Sequence, residues 1–224
     1  MTDATPFDPE LSIYRNVKDN AGTLTRLSSV VEIIKSGQLA DPTQAIRQAA
    51  ENGDDARADE LKKQLPAITG AGTFHPTRQR EGWKPASGLA TVDIDGLTDE
   101  AFEPTRNALT SSPYCVLCFT SPRGHGLKAF IRIPLTEPDH AEYLRCWKAV
   151  ARYVKELTVW ETDPATKDAT RLSFLAHDER VFYAPDARPL PVGEYADSEP
   201  KPSPKTSPKP SKRPKPDADH DAFK

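Results

Sequence analysis

Apolar and polar positions along the first 190 residues sort into a run of short elements. Leu-Ser-Ile-Tyr-Arg at 11–15 alternates with a period of two and predicts a strand. Between Thr23 and Gly37, Leu27, Val30, Val31, Ile33 and Ile34 recur at helical spacing, and Gly37 marks the stop. Asp41-Pro42 opens a second helix, with Asp41 as N-cap and Pro42 at the first helical position, running through Ala50. Residues 54–64 predict a third, stopped by Pro66. Strands follow at 89–94, 114–120, 129–133 and 172–176, with an edge strand at 181–183. Helices are predicted at 98–109 and 140–157. The second is the most strongly patterned, with Tyr143, Leu144, Trp147, Val150, Ala151 and Val154 on one face.

The order is therefore a mostly helical opening region and then β-α-β-β-α-β. That predicts an α+β fold of RRM-like or ferredoxin-like layout, two helices covering one face of a small sheet. In it the strand at 89–94 is central, and 114–120 and 127–133 form a hairpin beside it. The expected division is an N-terminal region at 1–65 packed on a core at 66–192, followed by 193–224. Residues 199–216 are nearly all Pro, Lys and Ser, the composition of a disordered linker or tail.

Charge refines this. The chain carries a net −3, but residues 201–224 hold seven Lys/Arg against three Asp, a net +4, which leaves −7 on the first 200 residues. Such a body is no general binder of polyanions, so any nucleic-acid contact requires a local groove or bound cations. Apolar content is 37%, mean hydropathy is −0.63, and no run reaches the length of a membrane span. The acidic N-terminus has no apolar core of a secretory signal, which predicts a cytoplasmic protein with no membrane partner. Cys115 and Cys118 have CxxC spacing, but on a strand residues three apart face opposite ways, so they read as core cysteines.

Candidate chemistry centres on Thr91-Val92-Asp93-Ile94-Asp95-Gly96. On a strand Asp93 and Asp95 share a face, about 6.5–7 Å apart, a spacing suited to divalent cations. The same spacing also fits a strand running into an Asp-Gly turn with both acids in water. Two further polar clusters can join them: Ser121-Pro-Arg-Gly-His-Gly-Leu-Lys128, and Asp163, Asp168 and Arg171 in the loop after the last long helix. The turn offers Ser121, Arg123, His125 and Lys128 as donors to phosphates, with Gly124 and Gly126 letting backbone approach. It is no P-loop, because G-x-x-x-x-G-K-[ST] is absent and Gly126 precedes no helix. The Cys and His residues form no structural zinc pattern. In Gly70-Ala-Gly72 the glycines allow backbone to approach a ligand or a neighbouring strand. Adjacent His177 and Asp178 diverge at a strand end and read as scaffold.

In order and spacing these motifs resemble the archaeo-eukaryotic primase (primase-polymerase) superfamily. The nearest likeness is to the primase-like domain that precedes VirE-type helicase or ATPase domains in phage, plasmid and mobile-element proteins. Val92-Asp93-Ile94-Asp95 matches its acidic strand, 121–128 its serine- and glycine-bearing turn, and Asp163 or Asp168 with Arg171 its third motif. The stretch 61–74 also resembles that subfamily. The resemblance implies a DNA primase or DNA polymerase, a template-directed nucleotidyltransferase of mobile genetic element DNA replication. Asp93, Asp95 and Asp163 would be catalytic and bind Mg²⁺ or Mn²⁺. Asp163 is preferred because the family usually places its acid some residues before the arginine, and Asp168 is the alternative third acid. Ser121, Arg123, His125, Lys128 and Arg171 would hold the nucleotide's phosphates. Many members have histidine where Lys128 stands. The implied partners are a single-stranded DNA template, rNTP or dNTP, and a helicase or ATPase, either separate or as a further C-terminal domain. A non-catalytic nucleic-acid or nucleotide-binding module on the same fold is the alternative, with Phe74 and Trp83 as its stacking aromatics.

Overall fold

The computed structural model describes residues 6–196. Ten strands and six helices follow one another as β1 (Glu10–Tyr14), β2 (Thr23–Arg26), α1 (Leu27–Lys35), α2 (Ala40–Glu51), α3 (Asp55–Lys62), β3 (Ala67–Thr69), β4 (Gly72–Phe74) and β5 (Trp83–Ala86). Then come β6 (Leu89–Asp95), α4 (Asp99–Ser111), β7 (Cys115–Thr120), β8 (Gly126–Arg132), α5 (His140–Thr158), β9 (Leu172–Phe174), β10 (Phe182–Tyr183) and α6 (Val192–Ala196). The fold is α+β with antiparallel sheets. One sheet has the order β2-β1-β3-β9, a second the order β10-β7-β8-β6, and β4 and β5 pair separately.

Layering follows from the two faces of the second sheet. Val92 and Ile94 of β6, with Leu127, Ala129 and Ile131 of β8, point into a core shared with α4 and α5. On the opposite face Leu89, Leu117, Phe119 and Phe130 pack against Leu11, Ile68 and the apolar stripe of α1. The helices α2 and α3 form a smaller cluster around Ile46, Ala58 and Leu65. Gly70 is where the layers touch most closely: a Cβ there would lie 2.3 Å from Thr91 Oγ1 and 2.5 Å from the Phe130 ring. Of the two partners offered by the sequence, a ligand or a neighbouring strand, Gly70 meets the strands.

Several expectations are corrected. Thr23–Arg26 is not the start of a helix but the edge strand β2, because its threonines suit a pleat and it pairs with Glu10–Ile13. The helix at 40–51 begins one residue before Asp41, so Asp41 lies in its first turn rather than at its cap. The 1–65 region is joined to the rest by sheet pairing, β1 with β3, across 65/66. At the other end α6 continues the packed structure into residues 192–196, with Tyr195 edge-on to Tyr153. The remainder of the expected tail lies outside the described residues.

The strand carrying the acids is not central. Among the described residues β6 pairs only with β8 and forms the sheet edge. Its open side is met by a loop instead of a strand: Asp93 N–H donates to Thr162 Oγ1 (2.9 Å), and Asp163 N–H donates to Asp93 O (2.7 Å). Cys115 and Cys118 do not face opposite ways either. A register shift between Cys115 and Leu117 turns both into the helix-side core. Both remain buried free thiols. Burial raises each, Cys118 to about 12, so neither offers the thiolate that metals require.

Candidate functional site

The register of β6 on β8 sets the site. Asp93 lies opposite Lys128, and Asp95 opposite Gly126. Direct partners in an antiparallel pair share a face, so the lysine ammonium meets the Asp93 carboxylate at Oδ2. This ion pair is nearly enclosed, with the side chains 4% and 15% exposed for Lys128 and Asp93. The other oxygen, Asp93 Oδ1, is buried without a hydrogen-bond partner.

Asp95, one pleat further, needs the glycine across from it. A Cβ on Gly126 would stand 2.6 Å from Ile94 O, 3.0 Å from Ser121 Oγ and 3.1 Å from Asp95 Oδ1. The missing side chain thus brings the serine hydroxyl and the carboxylate to one spot. Gly124, at φ +90°, closes the turn, and its N–H donates to Ser121 O at 3.0 Å. Desolvation raises the Asp95 carboxyl above the usual range. The charges of Asp93 and Asp163 push the same way, while Lys128 and Lys62 oppose them.

The third-acid alternatives separate in space. Asp163 is tied by its backbone to Asp93, and its charge acts on Asp95. Its Oδ1 accepts from Ala165 N–H (2.9 Å), and its Oδ2 lies 3.9 Å from Arg171. Asp168 instead accepts from the N–H and hydroxyl of Thr170 at 3.0 Å each. It lines a different cleft, with Arg80, His140 and Trp147. Among the described residues no three acidic, histidine or cysteine side chains are gathered in a metal-holding arrangement. The Asp93–Asp95 pair still fits a divalent cation in its chemistry. It offers one buried carboxylate oxygen without a partner beside a second carboxylate whose charge is disfavoured.

A cleft of about 450 Å³ opens beside the pair, lined by Asp55, Asp59, Lys62, Asp95, Ser121, Arg123 and His125 among others. His125 is exposed, and its carbonyl accepts from Leu97 N–H at 3.0 Å. Arg123 is held by Asp55 (2.7 Å) and Asp59 (2.8 Å) of α3. Arg171 is about half exposed and, among the acids of the described residues, lies near Asp163. Lys62 is the residue the sequence did not reveal. It sits 31 residues before Asp93 at the end of α3, in the 61–74 stretch noted for its resemblance as a whole and for no one side chain, and the pairing of β3 with β1 and β9 folds it into the cleft.

Two expectations for nearby side chains resolve differently. Trp83 and Phe74 are both 2% exposed and stack on each other at 6.2 Å, so neither is a platform for bases. His177 and Asp178 do serve the scaffold. The His177 ring reaches Ser36 O at 3.0 Å. Asp178 pairs with buried Arg106 at 3.0 Å and accepts from Thr120 N–H at 2.8 Å. That anchors the residue just before Ser121 and so fixes where the turn begins.

Comparison with known proteins gives one match. A family model described as BT4734-like, N-terminal domain, matches residues 60–183, more than half of the chain. No curated protein and no solved structure matches.

Proposed function

The chain belongs to the BT4734-like, N-terminal domain family, and from its cleft we propose that it is a metal-dependent, template-directed nucleotidyltransferase of the primase-polymerase type, acting in mobile-element replication. The observation that carries this reading is the Asp93–Asp95 pair, one carboxylate oxygen buried and unpartnered, beside a cleft lined with phosphate donors. The succession β6-α4-β7-β8-α5, with β8 between β6 and β7, supports an RRM-like core of the archaeo-eukaryotic primase kind. The last strand departs from that layout, and the 162–163 loop occupies the edge of β6 in its stead.

In this reading Asp93 and Asp95, joined by Asp163, would hold Mg²⁺ or Mn²⁺, which would supply activation of a 3′-hydroxyl and neutralisation of the leaving pyrophosphate. Lys128 neutralises the second oxygen of Asp93 and fixes its rotamer, so its first duty is to the acid rather than to phosphate. Ser121 and His125 face the cleft beside Asp95 and donate to phosphate oxygens there. Arg123 lines the cleft against Asp55 and Asp59, and Arg171 lies beside Asp163. Single-stranded DNA, rNTP or dNTP, and a helicase or ATPase partner belong to the same proposal. Among the described residues no helix is long and apolar enough to cross a membrane.

A second reading, a non-catalytic nucleotide or single-strand binding module, is favoured by the Lys128 contact on Asp93 and by the side chain of Asp163 being engaged elsewhere. One experiment separates them: primed and primer-free incorporation with rNTPs and dNTPs in Mg²⁺ and in Mn²⁺, alongside template binding in EDTA. Metal-dependent product supports the transferase. Template binding without product under every condition selects the binding module.

A further inference from the structure

Four cationic side chains lie beside the three acids or in the cleft, and three are already engaged by carboxylates. Arg123 is held by Asp55 and Asp59, Lys128 by Asp93, and Arg171 lies 3.9 Å from Asp163. Lys62 differs. It lines the cleft with Asp95 and Ser121, and no carboxylate of the described residues stands within ion-pair distance of it. Its Nζ lies 5.8 Å from the centre of the Phe174 ring. Asp55, Asp59 and Lys62 follow at i, i+4 and i+7 on one face of α3, so both acids and the lysine look into the same space. The acids occupy the end of the wall that meets Arg123, and Lys62 occupies the end toward Asp95.

We propose that Lys62 is the cation that seats the polyphosphate of a nucleoside triphosphate in this cleft. The proposal rests on the nucleotidyl-transfer reading for the identity of the ligand, and on geometry alone for the seat. An anion gains most from a cation that is half-buried, unneutralised and already restrained, because little water screens the contact and little side-chain freedom is lost. Lys62 is half-buried, has no carboxylate within ion-pair distance among the described residues, and lies over the Phe174 ring. Desolvation, and then the charge of Lys128, disfavour its ammonium, while Asp93, Asp95 and Asp59 favour it. A phosphate would add to the favourable side. Arg123 must first leave two carboxylates to do the same work.

The test is calorimetric titration of the full chain with inorganic tripolyphosphate in EDTA, at about 0.15 M salt to screen the basic 201–224 segment. Lys62→Ala and Lys62→Met are compared with Lys62→Arg and Arg123→Ala. Lys62→Met keeps the stem beside Phe174, so it remains informative if the alanine variant loses its fold. The expected result is at least tenfold weaker binding in Lys62→Ala and Lys62→Met, near-parental binding in Lys62→Arg, and a smaller loss in Arg123→Ala. Parental binding by Lys62→Met, or no binding by the parent chain, overturns the proposal. Incorporation assays on the same samples keep the two readings apart. Lys62-dependent binding without incorporation by the parent retains the seat and removes the transferase. Incorporation by the parent, undiminished in Lys62→Met, retains the transferase and removes the seat.

Discussion

Asp95→Asn is expected to make the protein more stable while removing a carboxylate from the site. The two acids sit one pleat apart on one face, about 6.5–7 Å between Cβ atoms. Two unit charges at that distance repel by about 1 kcal/mol at an effective dielectric of about 40, a value suited to a partly exposed pair. Lys128 and Lys62 offset part of this. Asp95 is also exposed by area, so solvent screening leaves a net cost of about 0.5–1 kcal/mol. For a domain of this size that corresponds to a Tm gain of about 1–4 °C. The pH dependence has a definite sign. The folded-state pKa of Asp95 is raised, so the cost is fully present when the carboxyl is ionised in both states. It disappears as pH falls through the raised value toward the ordinary carboxyl range. Thermal melts of parent and variant between pH 4 and 8 should therefore differ most at neutral pH and converge in acid. A variant less stable than the parent at pH 7, or a gap that widens on acidification, would refute the electrostatic account.

Three other expectations follow from the same contacts. Lys128→Met strands the Asp93 carboxylate in a nearly enclosed position and should cost about 3–5 kcal/mol in urea denaturation. Adding Asp93→Asn should restore most of the loss, and additive losses would contradict a coupled pair. Gly126→Ala places a methyl 2.6 Å from Ile94 O, against backbone that cannot yield cheaply, and should cost about 1–3 kcal/mol by the same measurement. Asp178→Asn should destabilise by a similar few kcal/mol, because Arg106 is left buried without its carboxylate. Although desolvation raises the Asp178 carboxyl, the Thr120 N–H and the Arg106 charge outweigh it and bring the pKa below the ordinary value. Its contribution is thus present above that ordinary value and lost as pH falls through the lowered one, so the difference between parent and Asp178→Asn should shrink in acid.

Much of the fold could be read from periodicity, because its longer elements bury one face. The helices at 99–111 and 140–158 and the strands at 89–95, 115–120 and 126–132 stand within a few residues of their predicted bounds. Two kinds of feature escaped. The first depends on pairing partners: Thr23–Arg26 becomes a strand because β1 lies beside it, and β6 becomes an edge because a loop reaches it before any strand does. The second depends on a single inserted residue, the register shift at 115–117, which reverses the relation of the two cysteines.

The candidate site shows the same limit. The acid pair, Ser121 and His125 share a neighbourhood because strand register and a glycine turn are local properties. Which cations are free is not local. Arg123 is claimed by α3 across 64 and 68 residues of chain, and Lys62 arrives from the same helix. Spacing could not tell Asp163 from Asp168 either. The distinction comes from one backbone hydrogen bond to the edge of β6.

The central claim is that the Asp93–Asp95 pair serves nucleotidyl transfer. Because Asp93 is also half of a buried ion pair, its substitution mixes chemistry with folding, and Asp95→Asn is the cleaner probe. The decisive measurement is nucleotide incorporation on a single-stranded DNA template in Mn²⁺, parent and Asp95→Asn side by side at 25 °C, with melts on the same samples. The account predicts product from the parent, none in EDTA, and at least a hundredfold less from a variant that is equally or more stable. Equal incorporation by Asp95→Asn, or no incorporation by the parent with either nucleotide set, would contradict it.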